Sequence, residues 1–157
     1  MKKALTLVEI IIYLGILSLI LLPLSFGFFR IYLNWQILKK YQELNQVANF
    51  FVLKLEKEIK SAREISFPEV SQKAPKLSLI DFSNSQIDIF LDSGKVIFEK
   101  NGEKEELFFK TFPFLNLNFF NIEGKGVKVE FEIGFEEKGK VLSQFFTTTF
   151  NLPPKSL

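Results

Sequence analysis

The chain has 157 residues, room for one helical anchor and one modest domain, and at 47% hydrophobic residues with 20 Phe it is too apolar for a disordered chain. It contains no Cys, so disulfides, thiolate nucleophiles and Cys-ligated metals are excluded, and no His, which removes the commonest general base and transition-metal ligand. The net charge is +2, and beyond residue 30 there are 17 basic and 17 acidic residues, with Arg63 the only Arg, so no clustered cations point to nucleic acid.

The first element is the stretch Leu5 to Phe29, 25 residues with a single charged side chain, Glu9. As a helix it covers roughly 37 Å, enough to cross a hydrocarbon core of about 30 Å with some tilt. Lys2 and Lys3 precede it and Arg30 follows it. The two lysines favour a cytoplasmic N-terminus, with the rest of the chain outside the membrane.

Glu9 has two readings. Thr6-Leu7-Val8-Glu9 fits the capping-box pattern, with Thr6 as N-cap and Glu9 reaching back to a free backbone donor. An acid in a membrane helix also costs about 2.5–3.5 kcal/mol at the bilayer centre. Glu9 lies near the helix end and reaches the interface in a lone subunit, but bundling many such helices closes that escape. The carboxylate then needs a cation or must protonate. The candidates are Lys2, Lys3 or an α-amine made by cutting the chain nearby. The two roles are compatible.

Met1-Lys2-Lys3-Ala4, followed by Leu5-Thr6-Leu7-Val8-Glu9 and the apolar run, resembles the N-terminus of type IV prepilins and type II secretion pseudopilins. The resemblance covers about 25 residues. It implies cleavage by prepilin peptidase between Ala4 and Leu5, and N-methylation of Leu5. It further implies assembly through Glu9, with Thr6 beside it, where the glutamate pairs with the N-terminal amine of a neighbouring subunit. The family usually has Gly before the cut and Phe after it; here a small Ala4 and an apolar Leu5 stand in those places.

Pro23 removes a helical donor and leaves the Leu19 carbonyl without its partner, and Gly27 adds backbone freedom four residues later. These two mark a helix kink, read either as an ordinary membrane-helix bend or as a point that yields when helices pack in a filament. Ser25-Phe26-Gly27 also has the spacing of a secretory cleavage site, but the apolar run is long for a signal core and Glu9 interrupts it. A plain uncleaved anchor is the other alternative.

The helix is expected to continue through residues 30–63. Leu38, Tyr41, Leu44, Ala48, Phe51, Leu55, Ile59 and Ala62 recur at spacings of three and four, with Lys39, Lys40, Glu43, Lys54, Lys57, Glu58 and Lys60 opposite. Lys39–Glu43, Lys54–Glu58 and Glu56–Lys60 are possible four-apart ion pairs. The stripe reads as a docking face, and the helix should end near Ala62 to Glu64.

Residues 64–157 change to an alternating period. Pro68 to Pro75 reads as a loop. Strands follow around Leu77 and Leu79, then Ile87, Ile89 and Leu91, then Val96 and Phe98, with Asp92-Ser93-Gly94 and Asn101-Gly102 as turns. Leu107 to Phe109 continues the sheet and Pro113 interrupts it. Leu115, Leu117 and Phe119 alternate with Asn116 and Asn118, and Val127, Val129, Phe131 and Ile133 alternate with Lys128, Glu130 and Glu132. Gly124-Lys125-Gly126 and Glu137-Lys138-Gly139 read as turns, and Val141 to Phe150 as the return strand.

The expected fold is therefore α+β. A long N-terminal helix, membrane-spanning in its first half and amphipathic in its second, packs on an antiparallel sheet of six or seven strands. The organisation is leader 1–4, membrane or filament-core helix 5–29, amphipathic continuation 30–63 and β-rich head 64–157. Acid groups at Glu103, Glu105 and Glu106 and at Glu136 and Glu137 fall in turns or on exposed faces, and no catalytic constellation emerges, so no enzyme, metal or cofactor is expected. The resemblance implies a structural filament subunit, a minor pilin or pseudopilin. Its implied partners are other pilin or pseudopilin subunits, prepilin peptidase, an inner-membrane assembly platform and membrane lipid; a nucleic-acid partner is not expected. The implied location is the cytoplasmic membrane, single-pass with the head outside, and then an extracytoplasmic filament. The alternative is a membrane-anchored, β-rich binding module for adhesion or DNA uptake that does not polymerise, to which Thr147-Thr148-Thr149 or exposed aromatic residues could contribute.

Overall fold

A computed structural model describes residues 6–154. One helix, α1 (Leu7–Ser61), is followed by nine strands: β1 (Ala62–Phe67), β2 (Lys73–Ala74), β3 (Lys76–Asp81), β4 (Gln86–Asp92), β5 (Lys95–Lys100), β6 (Glu103–Leu107), β7 (Phe114–Ile122), β8 (Gly126–Glu137) and β9 (Lys140–Asn151). The chain divides into two compact units between Glu43 and Leu44, and α1 runs through the division. The α+β class and the long N-terminal helix agree with the sequence.

The first unit is helix. It is long and apolar enough to cross a membrane, and none of the side chains in its most apolar 18-residue window is buried within the chain. Its serine hydroxyls satisfy themselves on the helix: Ser18 Oγ donates to the Gly15 carbonyl and Ser25 Oγ to the Leu21 carbonyl, each at 2.8 Å. Such back-bonding gives each of these two hydroxyls a partner within the helix itself.

In the second unit the end of α1 packs on the strands. Leu44, Val47, Ala48, Phe51, Leu55 and Ile59 are its buried residues, the three-and-four spacing of one helix face. Phe51 is fully buried and meets three phenylalanine rings edge-on, Phe114 at 4.8 Å, Phe131 at 4.9 Å and Phe98 at 6.5 Å between centroids. The helix ends at Ser61 and passes directly into β1, so Ala62, on the helical stripe by spacing, is a buried strand residue.

The strands form two antiparallel sheets where one was expected, with orders β1-β3-β4-β5-β6 and β2-β7-β8-β9. Among the described residues there are nine strands, not six or seven, because β1 follows the helix without a loop and the two-residue β2 lies inside the expected Pro68–Pro75 loop. Strand β7 adjoins β3 and β4, and the Phe114 N–H donates to the Gly94 carbonyl at 3.1 Å, so Phe51 bridges rings from both sheets. Turns at Ser93-Gly94, Asn101-Gly102 and Lys138-Gly139 have positive φ at both central residues, the hairpin geometry that their sequences favour. Lys54 departs from its expected partner Glu58. It pairs with Glu105 on β6 and lies over the Phe98 ring, 4.6 Å from the centroid. Glu56–Lys60 forms as read, at 2.6 Å.

Candidate functional site

Thr6 and Glu9 meet at the first turn of α1. Glu9 Oε2 accepts the Thr6 backbone N–H at 2.9 Å and the Thr6 hydroxyl at 3.1 Å, and the Glu9 N–H donates back to Thr6 Oγ1 at 3.3 Å. The Ile10 N–H donates to the Thr6 carbonyl at 3.2 Å and closes the turn. This is reciprocal capping, which satisfies donors that the helix start would otherwise leave without partners. The capping reading of Glu9 is therefore realised.

Capping uses one carboxylate oxygen. Oε1 has no hydrogen bond or ion pair among the described residues. Glu9 is also the only charged residue between Thr6 and Phe29. An oriented carboxylate with one oxygen still available can accept a further strong donor, and an ammonium group is the strongest match for it. Ala4 and Leu5, the residues assigned to cleavage and methylation, lie outside the described residues, as do Lys2 and Lys3.

Pro23 and Gly27 stand four residues apart on one helix face. With Leu19, Ile20, Leu24, Phe28 and Ile31 they line an apolar notch of about 500 Å³. A Cβ added at Gly27 meets no atom within 4 Å, so the space beside it is open. The helix continues through both positions.

Two neighbouring acidic residues of the second unit are engaged separately. Glu105 goes to Lys54, and Glu106 to Lys95 at 2.8 Å. Among the described residues no three His, Cys, Asp or Glu side chains are placed to hold a metal ion. The most organised carboxylate is one that the sequence reading passed over. Asp81 ends β3, is buried, accepts the backbone N–H groups of Ser83 at 2.8 Å and Ser85 at 2.9 Å, and pairs with Lys100 at 2.9 Å. The Lys100 ammonium foremost, helped by the Ser85 and Ser83 amides, holds its carboxyl below the usual aspartate value. Asp81-Phe82-Ser83-Asn84-Ser85 carries the signal, an Asx-type turn. Glu130 is likewise lowered by hydrogen bonds from Lys73, at 2.5 Å, and Lys128, at 2.9 Å. Buried Asn121 donates to the Pro68 carbonyl and accepts from the Gly124 N–H, both at 2.8 Å, tying the Pro68 loop to the β7–β8 turn. All these groups have local structural partners among the described residues.

Comparison with protein-family models, with curated proteins and with solved structures finds no match to this chain.

Proposed function

We propose that this chain is a prepilin-like filament subunit of the minor pilin or pseudopilin kind. It is held in the cytoplasmic membrane by the first part of α1, cut by prepilin peptidase after Ala4, methylated at Leu5, and assembled with other pilin or pseudopilin subunits on an inner-membrane platform. The observation that carries this reading is the half-used Glu9 carboxylate, the one charge on a long apolar helix surface. Capping pre-orients the group but does not neutralise it. Packing it among apolar helices without a cation costs several kcal/mol. Cleavage after Ala4 creates an α-ammonium on Leu5, directly before the Thr6 of the box, and the same group on a neighbouring subunit supplies a donor to Oε1, which has none among the described residues. The α+β architecture, with a helix that spans a membrane by length and composition and a β-rich second unit, is compatible with such a subunit.

Intact-mass and N-terminal analysis of the protein from its native membrane tests the processing step. The expected product begins at methylated Leu5. A chain beginning at Met1 would overturn the reading in favour of a permanent anchor, and one beginning after Gly27 in favour of a secretory signal. Glu9→Ala is expected to leave membrane insertion intact and to deplete the subunit from filaments; equal incorporation of the two proteins would reject the pairing.

A further inference from the structure

Sheet edges are where extended chains add to a fold, and most proteins protect theirs with charge, brevity or irregularity. Three of the four edges here are protected in that way. Strand β6 reads Glu-Lys-Glu-Glu-Leu, β2 has two residues, and β1 is interrupted by two register shifts. Strand β9 is the exception. It has 12 residues, pairs with β8 without a register shift, and carries no charge from Val141 to Asn151.

Large apolar side chains lie on both of its faces, among uncharged Ser, Gln, Thr and Asn. Val141 and Phe145 point away from the core, 66% and 59% exposed. On the other face Leu142 and Phe146 are only half-buried, although Phe146 stacks on Phe131 at 5.0 Å. Apolar residues on both faces are typical of strands covered on every side.

The direction of its backbone groups follows from the ladder. The Leu152 N–H donates to the Lys125 carbonyl at 2.8 Å at one end, and the two-residue turn at Lys138-Gly139 makes Glu137–Lys140 a hydrogen-bonded pair at the other. Hydrogen-bonded pairs alternate along an antiparallel ladder. The even-numbered residues of β9 therefore bond to β8. Val141, Ser143, Phe145, Thr147, Thr149 and Asn151 turn their N–H and C=O groups outward, where they meet no backbone partner among the described residues.

We infer that β9 is an interaction edge that pairs antiparallel with the β9 strand of a second copy of this chain. The absence of charge along the strand favours that occupant. The uncharged run Val141–Asn151 is centred on Phe146, so a twofold pairing about Phe146 sets it against itself over its whole length. Phe145 then faces Thr147, Ser143 faces Thr149 and Val141 faces Asn151, each an outward-bonding residue opposite another. Lys140 falls beyond the paired run, opposite Leu152. A pairing with β6 would instead set its charges against the uncharged edge of β9. The inference does not depend on the filament reading, since it concerns only the second unit.

The chain has no Cys, so introduced cysteines report without background. Phe145→Cys and Thr147→Cys chains, full-length, differently tagged and mixed in mild detergent, place their Cα atoms about 5.5 Å apart in this register, within disulfide range. The mixed disulfide dimer is expected several-fold above a Lys110→Cys control. Thr147→Pro removes an outward donor that the β8–β9 ladder does not use, and Thr147→Lys adds a protecting charge should the proline disturb folding. Either variant should lower the dimer fraction in sedimentation by about tenfold, a change of roughly 1.4 kcal/mol. Cross-linking no higher than the control, or β9 cysteines in native membranes that link only to a different protein, would overturn the self-pairing.

Discussion

Phe51 gives the most direct test of how the second unit is held together. Its ring is fully buried, and its neighbours come from β5, β7 and β8, hence from both sheets. Phe51→Ala removes the ring and leaves a cavity between elements that are anchored elsewhere and collapse only partly. Such substitutions cost about 3–5 kcal/mol. The two ring pairs under 5 Å, each worth about 0.5–1.5 kcal/mol beyond burial, place this site in the upper half of that range. The neighbour Phe50 is the internal control. It is 53% exposed with one edge-on contact, to Phe109 at 6.2 Å, so Phe50→Ala should cost about 1 kcal/mol or less. The assay is urea denaturation of the full chain in mild detergent, read by tryptic susceptibility of the strands. With a slope of about 2 kcal/mol per molar, Phe51→Ala should lower the midpoint by about 2 M and Phe50→Ala by no more than about 0.5 M. Similar losses from the two substitutions, or a loss below about 1.5 kcal/mol at Phe51, would refute the claim that this ring joins the two sheets.

Three further outcomes follow from local geometry. The folded-state values of Asp81 and Glu130 are lowered, so their contribution to stability is fully present above the unfolded carboxylate range and is lost as pH falls through the folded values. The urea midpoint should drop below about pH 4, and Asp81→Asn should lower it at pH 7 and make its acid dependence shallower. Gly126→Ala would bring a Cβ within 2.6 Å of the Phe150 carbonyl oxygen, and the clash should cost about 1–3 kcal/mol and speed amide exchange in β9. Lys54→Met keeps the aliphatic cover over Phe98 but frees Glu105, and should change stability by less than about 1 kcal/mol because Glu105 is largely exposed.

The features legible from the sequence are those with a local cause. Thr6–Glu9 is a pattern three residues apart, and the Phe51 stripe is a helical period. Asn101-Gly102 specifies a hairpin because few other pairs tolerate positive φ twice in succession, and Gly139 marks the later turn at Lys138-Gly139. What remained hidden depends on distant partners. Alternation tells which residues of a strand share a face, but not which strand lies beside it, so the separation into two sheets could not be read. Lys54 has Glu58 within one helical turn yet goes to Glu105, because β6 brings that carboxylate next to Phe98. Ala62 keeps the helical spacing but belongs to β1, since a period does not announce where it stops. Strand β2 is too short to show a period, and Asp81 reads as an ordinary turn residue until Lys100 arrives from β5. At the candidate site the cap was legible, and the residues of the expected cut, Ala4 and Leu5, lie outside the described residues.

The direct passage from Ser61 into Ala62 has a mechanical consequence. With no slack residues between helix and strand, tension drawn along the last turns of α1 loads the β1–β3 ladder at once, while Phe51, Leu55 and Ile59 resist the same pull through their packing. Inserting a few flexible residues at that junction would uncouple the two grips, leaving the rod free to slide before the strand feels any load.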